Sequence, residues 1–182
     1  MSLSSIADVT IRRAAAPDFG AVGQLAAQLV QLHHELDPQR FIPATAQTAT
    51  GYGSFLASQA KKTDVIILVA EHEGEVVGYT YAGIEGYDYM ALRGPAGALY
   101  DIVVEPGHRG QGIGRKLLDA TVAALEAGGA PRIVLSTAEG NDEAHRLFTR
   151  AGFRRTMIEM TRESAGGEQT RPGQSDSSSR QA

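Results

Sequence analysis

The stretch from Gly97 to Leu118, GALYDIVVEPGHRGQGIGRKLL, constrains the fold of this chain more than any other part of its sequence. Its first half is rich in β-branched and aromatic residues and stops at a proline, which predicts a strand over 97–106. Its second half predicts an amphipathic helix from Ile113. Between the two halves, glycines occupy alternate positions: Gly110, Gly112 and Gly114. The sequence therefore predicts a strand, a glycine-rich turn and a helix in immediate succession.

Strand and helix patterns alternate along the rest of the chain. The apolar spacing predicts helices at 16–36, roughly 46–61, 113–127 and 141–151. Runs rich in β-branched residues predict the other strands at 9–14, 64–71, 75–84, 131–140 and 153–162. This order predicts an α/β (α+β) sandwich with a mixed sheet.

The ends of the chain differ in composition from its middle. The last twenty residues contain no Val, Ile, Leu, Met or aromatic residue, so they cannot bury enough apolar surface to offset the entropy of ordering. We therefore expect a single domain over 9–162, a flexible start over 1–8 and a disordered tail over 163–182.

Composition excludes several classes of function. The net charge of −4 gives no basic field for nucleic acid or an anionic membrane, and no run of about 18 apolar residues could span a bilayer. The first ten residues lack a basic and an apolar region, so we expect no signal peptide. The chain has no cysteine, which excludes disulfides and thiolate metal ligands. We expect a cytoplasmic protein with no metal site.

The glycine-rich turn does not match the motifs of two well-known phosphate-binding loops. A P-loop requires Lys and then Ser or Thr after its last glycine, but Gly114 is followed by Arg115 and Lys116. A dinucleotide fingerprint from Gly110 would need its third glycine at position 115, which is arginine. The pattern that remains aims backbone N–H groups and the positive end of a helix at one point, as an anion site requires. The alternative is a tight turn in which the glycines satisfy only backbone geometry.

The segment 99–118, together with NDEAHRLFTRAGFRR at 141–155, resembles the GNAT superfamily of acetyl-CoA-dependent N-acetyltransferases. The first family motif is matched by Arg109, Gly112 and Gly114. The second is matched by Asn141, Ala144, Leu147, Phe148, Gly152 and Phe153. The resemblance implies a mixed, mostly antiparallel sheet of six to seven strands flanked by about four helices. It also implies that the fourth and fifth strands splay apart.

The resemblance further implies acetyl-CoA as the cofactor, wedged between the splayed strands. The backbone of Ile102, Val103 and Val104 would meet the pantetheine arm and thioester, with a main-chain N–H near Val104 facing the developing oxyanion. Asn141 would reach the pantetheine from the other side. The pyrophosphate would lie on the loop formed by Arg109, Gly110, Gln111, Gly112, Ile113, Gly114 and Arg115.

The implied reaction is direct acetyl transfer, in a ternary complex, to a primary amine of a small molecule or peptide. A covalent acetyl-cysteine route is closed because the chain has no cysteine. The candidates for base or proton relay are Tyr100 and Asp101, of which strand alternation turns only one to the cleft unless a bulge intervenes. Asp101 is alternatively a structural hydrogen-bond acceptor.

Phe148 departs from the implied pattern. This position often carries the tyrosine that protonates the leaving thiolate, and a phenyl ring cannot donate a proton. Phe148 thus favours a second class of function, a catalytically silent acyl-CoA-binding regulatory module. A homodimer is common in the family and is expected as a possibility here.

Overall fold

A five-stranded sheet in the order β1-β2-β3-β4-β5 forms the centre of the computed structural model, which describes residues 9–164. The predicted flexible start over 1–8 and nearly all of the predicted tail lie outside the described residues. The first four strands are antiparallel neighbours, and β5 runs parallel to β4. The strands are β1 (Val9–Arg13), β2 (Val65–His72), β3 (Glu75–Glu85), β4 (Ala96–Val104) and β5 (Ile133–Leu135).

Two pairs of helices cover the two faces of the sheet. The pair α1 (Phe19–Leu36) and α2 (Thr48–Gln59) packs on one face, and the pair α3 (Ile113–Ala127) and α4 (Asp142–Arg150) packs on the other. The residues of β2 alternate between the two apolar clusters, which is why this strand reads as a continuous apolar run. The predicted mixed, mostly antiparallel α/β fold is confirmed.

The predicted strand count of six to seven is wrong, since the described residues form five strands. The segment 153–162 carries a strand pattern but adopts no strand pairing, and β5 is only three residues long instead of spanning 131–140. A strand requires an edge to pair with, and so short an edge offers little. Three apolar residues of the segment are accordingly exposed, namely Met157, Ile158 and Met160, while Phe153 packs against the core.

Within residues 9–164, no helix combines the length and apolar character that crossing a membrane requires.

The helices α1 and α2 approach each other closely at two glycines. A Cβ built on Gly53 would lie 2.5 Å from the carbonyl oxygen of Phe19, and one on Gly23 would collide with the carbonyl oxygen of Ala49. Only glycine at both positions permits this backbone contact, which sets the spacing between α1 and α2.

Replacing Gly53 with alanine is expected to lower the free energy of unfolding by about 1–3 kcal/mol, because the added methyl pushes the two helices apart. Gly51→Ala in the same helix is the matched control, since a Cβ there meets nothing within 4 Å. The control should gain up to about 1 kcal/mol through helix propensity. Urea unfolding of both variants measures the difference, and equal stability would contradict the close-contact role of Gly53.

Candidate active site

The strands β4 and β5 part from each other halfway along β4. They pair only over Gly97–Leu99, and β4 then continues to Val104 without a partner on that side among residues 9–164. The N–H of Glu105 donates to the carbonyl of Val77 at 2.9 Å, toward β3. Because N–H groups alternate sides along an antiparallel strand, those of Ile102 and Val104 point into the opening between β4 and β5. The two strands are therefore arranged as the predicted splay requires.

The side chains of this part of β4 belong to the core. Ile102 and Val104 pack against the α3–α4 cluster, and Val103 is buried on the α1–α2 face. Only their backbone is thus available to a bound molecule.

The loop before α3 holds two glycines with positive φ. Gly110 has φ +74° and Gly112, at the start of α3, has φ +80°. A Cβ on either would enter open space, so backbone geometry alone demands glycine there. No backbone N–H from Gly110 to Arg115 donates to another described residue. The loop therefore presents unpaired donors at the positive end of a helix. Gly114 is less constrained, since its added Cβ would make ordinary contacts of 3.7 Å.

The arginines of the loop are engaged within the protein. Arg109 Nε donates to the carbonyl of Val104 at 3.0 Å and ties the loop to the end of β4. Arg115 Nε donates to both carboxylate oxygens of Asp119 at 2.8 Å, and its guanidinium also reaches the carbonyl of Arg150 at 3.1 Å. Arg109 thus holds the loop against β4, and Arg115 links the start of α3 to the end of α4.

Three further residues of the predicted cofactor site have structural contacts of their own. Ile113 is buried in the core. Gln111 Nε2 donates to the carbonyl of Gly107 at 3.4 Å. Asn141 caps α4, because its Oδ1 accepts the N–H of Ala144 at 3.1 Å.

A bulge in β4 decides how the two candidate bases face. On β3, Tyr81 pairs with Asp101 and the next residue, Ala82, pairs with Leu99, so Tyr100 has no partner. The ring of Tyr100 lies 4.7 Å from that of Tyr81, on the face covered by α1 and α2. The extra residue brings Tyr100 and Asp101 to the same face.

Asp101 is a buried carboxylate, 7% exposed, with two tyrosine donors on one oxygen. Its Oδ2 accepts the hydroxyls of Tyr52 at 2.8 Å and Tyr79 at 3.0 Å. Burial raises the pKa of Asp101, and these two hydrogen bonds act in the opposite direction. No described residue donates to Oδ1, and no buried side-chain oxygen in residues 9–164 lacks a partner. It follows that Oδ1 contacts solvent.

Tyr100 is less suited to accept a proton. Its hydroxyl donates to Glu85 Oε1 at 2.6 Å, and Glu85 also pairs with Arg93. Burial, followed by the bond to Glu85, raises the pKa of Tyr100, so the hydroxyl keeps its proton at neutral pH. Nearby, the exposed rings of Tyr87 and Tyr89 stack 6.2 Å apart.

Sequence reasoning did not indicate Tyr52 as a hydrogen-bond partner of Asp101. The tyrosine lies on α2, the helix with the weakest amphipathic pattern, and nothing in its local sequence indicates that it reaches a carboxylate on β4. His33 of α1 is half-buried, with Nδ1 2.9 Å from the carbonyl of Leu29, and its charge would lower the pKa of Asp101. Phe148 is buried, and the centre of its ring lies 5.9 Å from the centre of the Phe153 ring.

No group of three or more His, Asp or Glu side chains in the described part of the chain is placed to hold a metal ion.

Comparison with known proteins gives concordant matches. The model of the acetyltransferase (GNAT) family matches residues 28–153. Mycothiol acetyltransferase from Thermobispora bispora is 35% identical over 96 residues, which are 50% of this chain and 31% of that protein. The chain thus spans less than a third of this relative's length.

Solved structures share the fold at low identity. A predicted acetyltransferase with acetyl-CoA from Clostridium acetobutylicum has a TM-score of 0.64 at 16% identity, covering 84% of this chain and 96% of that one. An aminoglycoside N-acetyltransferase in complex with CoA has a TM-score of 0.63 at 17% identity, covering 86% and 94%. Since the family model covers most of the sequence, from α1 through α4, the chain belongs to the GNAT family of acetyltransferases.

Proposed function

We propose that this chain transfers the acetyl group of acetyl-CoA to a primary amine, with Asp101 as the general base. The observation that carries this proposal is Oδ1 of Asp101, which accepts no hydrogen bond from a described residue and lies on the part of β4 that has left β5. A raised pKa brings this carboxylate closer to the pH at which a base must both be ionised and accept a proton.

The donor is acetyl-CoA, and the described loop suits its pyrophosphate. The N–H groups from Gly110 to Arg115 donate to no described residue, and they lie at the start of α3, as an anion site requires. The opening between β4 and β5 is where the pantetheine arm would lie, along the backbone of Ile102 and Val104 and opposite Asn141. The N–H of Val104 is our proposed donor to the thioester oxygen.

The proposed step balances without further reagents. The ammonium first loses one proton to Oδ1 of Asp101, which passes it to solvent. The neutral amine nitrogen then bonds to the acetyl carbon, the carbon–sulfur bond breaks, and the second proton lost from nitrogen passes to Oδ1 of Asp101. The sulfur leaves as a thiolate, whose ordinary pKa near 8.5 makes it a fair leaving group without an acid at Phe148.

The acceptor in this proposal is a cationic amine of a small molecule or peptide. Its ammonium group would approach a face that carries the carboxylate of Asp101 beside the tyrosine rings of Tyr81 and Tyr100. Carboxylates attract, and aromatic faces tolerate, positive charge. The names of the compared proteins, a mycothiol and an aminoglycoside acetyltransferase, support an amine-bearing small molecule.

Release of CoA from acetyl-CoA is expected to depend on an added amine. A panel of polyamines, aminoglycosides, amino sugars and lysine peptides, with detection of the free thiol, measures this dependence. Saturating acetyl-CoA, at about 100 times its Kd, should also add roughly 2.7 kcal/mol to the stability of the protein.

Two negative results separate the alternatives. Stabilisation by acetyl-CoA without turnover on any amine would favour the silent acyl-CoA-binding module, for which the observation is the buried phenyl ring of Phe148. Absence of stabilisation would contradict both functions.

A further inference from the structure

We infer that Tyr52 is a positioning residue, which together with Tyr79 occupies Oδ2 of Asp101 so that Oδ1 is the only oxygen open to the acceptor amine. This inference rests on the proposed role of Asp101 as the base, and it assigns a function to a helix that no motif of the sequence singled out.

The two tyrosines that bond to Asp101 lie on different elements of the fold. Tyr79 is fully buried on β3, next to β4, and its hydroxyl reaches Oδ2 at 3.0 Å. Tyr52 comes from α2 and reaches the same oxygen at 2.8 Å. The close contacts at Gly23 and Gly53 fix the spacing between α2 and α1. The packing of the helices is therefore coupled to the placement of the carboxylate.

Two donors on one oxygen determine where the proton can go. The lone pairs of Oδ2 are used by the hydroxyls of Tyr52 and Tyr79, so a proton arriving at the carboxylate binds Oδ1. Burial, with the neighbouring carboxylate second in size, raises the pKa of the Tyr52 hydroxyl well above its ordinary value. The hydroxyl thus remains a donor at every pH at which the enzyme works.

Asp101 is also faced by groups from α1 and β3, whereas Tyr52 is the residue of α2 that bonds to it. His33 approaches from α1, and Tyr79 and Tyr81 approach from β3. Each hydroxyl bond favours the ionised carboxylate against the effect of burial. Loss of the Tyr52 bond therefore raises the pKa of Asp101, and the base becomes protonated at a higher pH.

The test is the pH dependence of kcat/KM for Tyr52→Phe with acetyl-CoA and the best amine of the panel. We expect the acidic limb, the pH range over which kcat/KM falls toward low pH, to move up by about one pH unit. The plateau value of kcat/KM at high pH should stay within a few-fold of the wild type. Tyr87→Phe removes a hydroxyl from an exposed ring of the β3–β4 loop and should leave the limb unmoved. A limb that stays in place in Tyr52→Phe would overturn the inference.

A second measurement does not depend on activity. Titration of the Asp101 carboxyl by carbon NMR in the unliganded protein should show the same upward shift in Tyr52→Phe, and in Tyr79→Phe if the first variant folds poorly. An unmoved carboxyl titration in folded protein overturns the inference even if activity changes. Wild-type turnover in Asp101→Asn would instead refute the proposed base, whatever Tyr52 does.

Discussion

Asp101→Asn is expected to lower kcat/KM by about 10²- to 10⁴-fold, the range that a positioned general base contributes. The substitution keeps an oxygen to accept the hydroxyls of Tyr52 and Tyr79, so the network around it is preserved. An amide cannot take a proton from the amine, so the substitution removes this function alone. The acidic limb of the pH profile should disappear with the carboxyl group.

The stability of the variant separates a catalytic effect from a structural one. Burial raises the pKa of Asp101 in the folded protein above its value in the unfolded chain. The free energy of unfolding therefore falls as the pH rises from the unfolded pKa to the folded pKa, where the buried carboxyl ionises. Asp101→Asn should thus melt at the same temperature as the wild type or higher at pH 8.

Glu126→Gln is the control for Asp101→Asn. It removes one negative charge from an exposed side chain near the end of α3 and should leave turnover unchanged. Near-normal turnover in Asp101→Asn, with the pH profile intact, would mean that water takes the proton.

Gly112→Asp is expected to weaken CoA binding by at least about 100-fold, or about 2.7 kcal/mol. Gly112 has φ +80° at the start of α3, and its added side chain would stand in the open space before the unpaired N–H groups. A carboxylate there would occupy the donors and repel a pyrophosphate. Calorimetric titration with CoA measures the loss.

Gly74→Asp is a closely matched control for this effect. Gly74 lies in the turn between β2 and β3 with φ +85°, and a Cβ there also meets nothing within 4 Å. Both variants should lose a comparable 1–2 kcal/mol of stability, roughly, to the left-handed backbone. If both bind CoA equally well, the pyrophosphate lies elsewhere.

Much of the fold was predictable because its signals are local. The β-branched run at 64–71 matches β2 (Val65–His72), and the glycine pair Gly128-Gly129 follows α3 as a helix end. The segment 153–162 shows where such signals fail. Its apolar residues favour a strand, but the pairing edge of β5 is three residues long, and strand formation depends on that remote edge.

The sequence by itself determined the fold class and the acetyltransferase family, because the family motifs lie in two short, contiguous stretches around α3 and α4. Only the tertiary structure shows how the surroundings of Tyr100 and Asp101 differ, and our proposal of Asp101 as the base rests on that difference. The bulge that turns both to one face exists only in the pairing of β4 with β3. The donors to Asp101 lie 49 and 22 residues away along the chain, where no local pattern connects them with it.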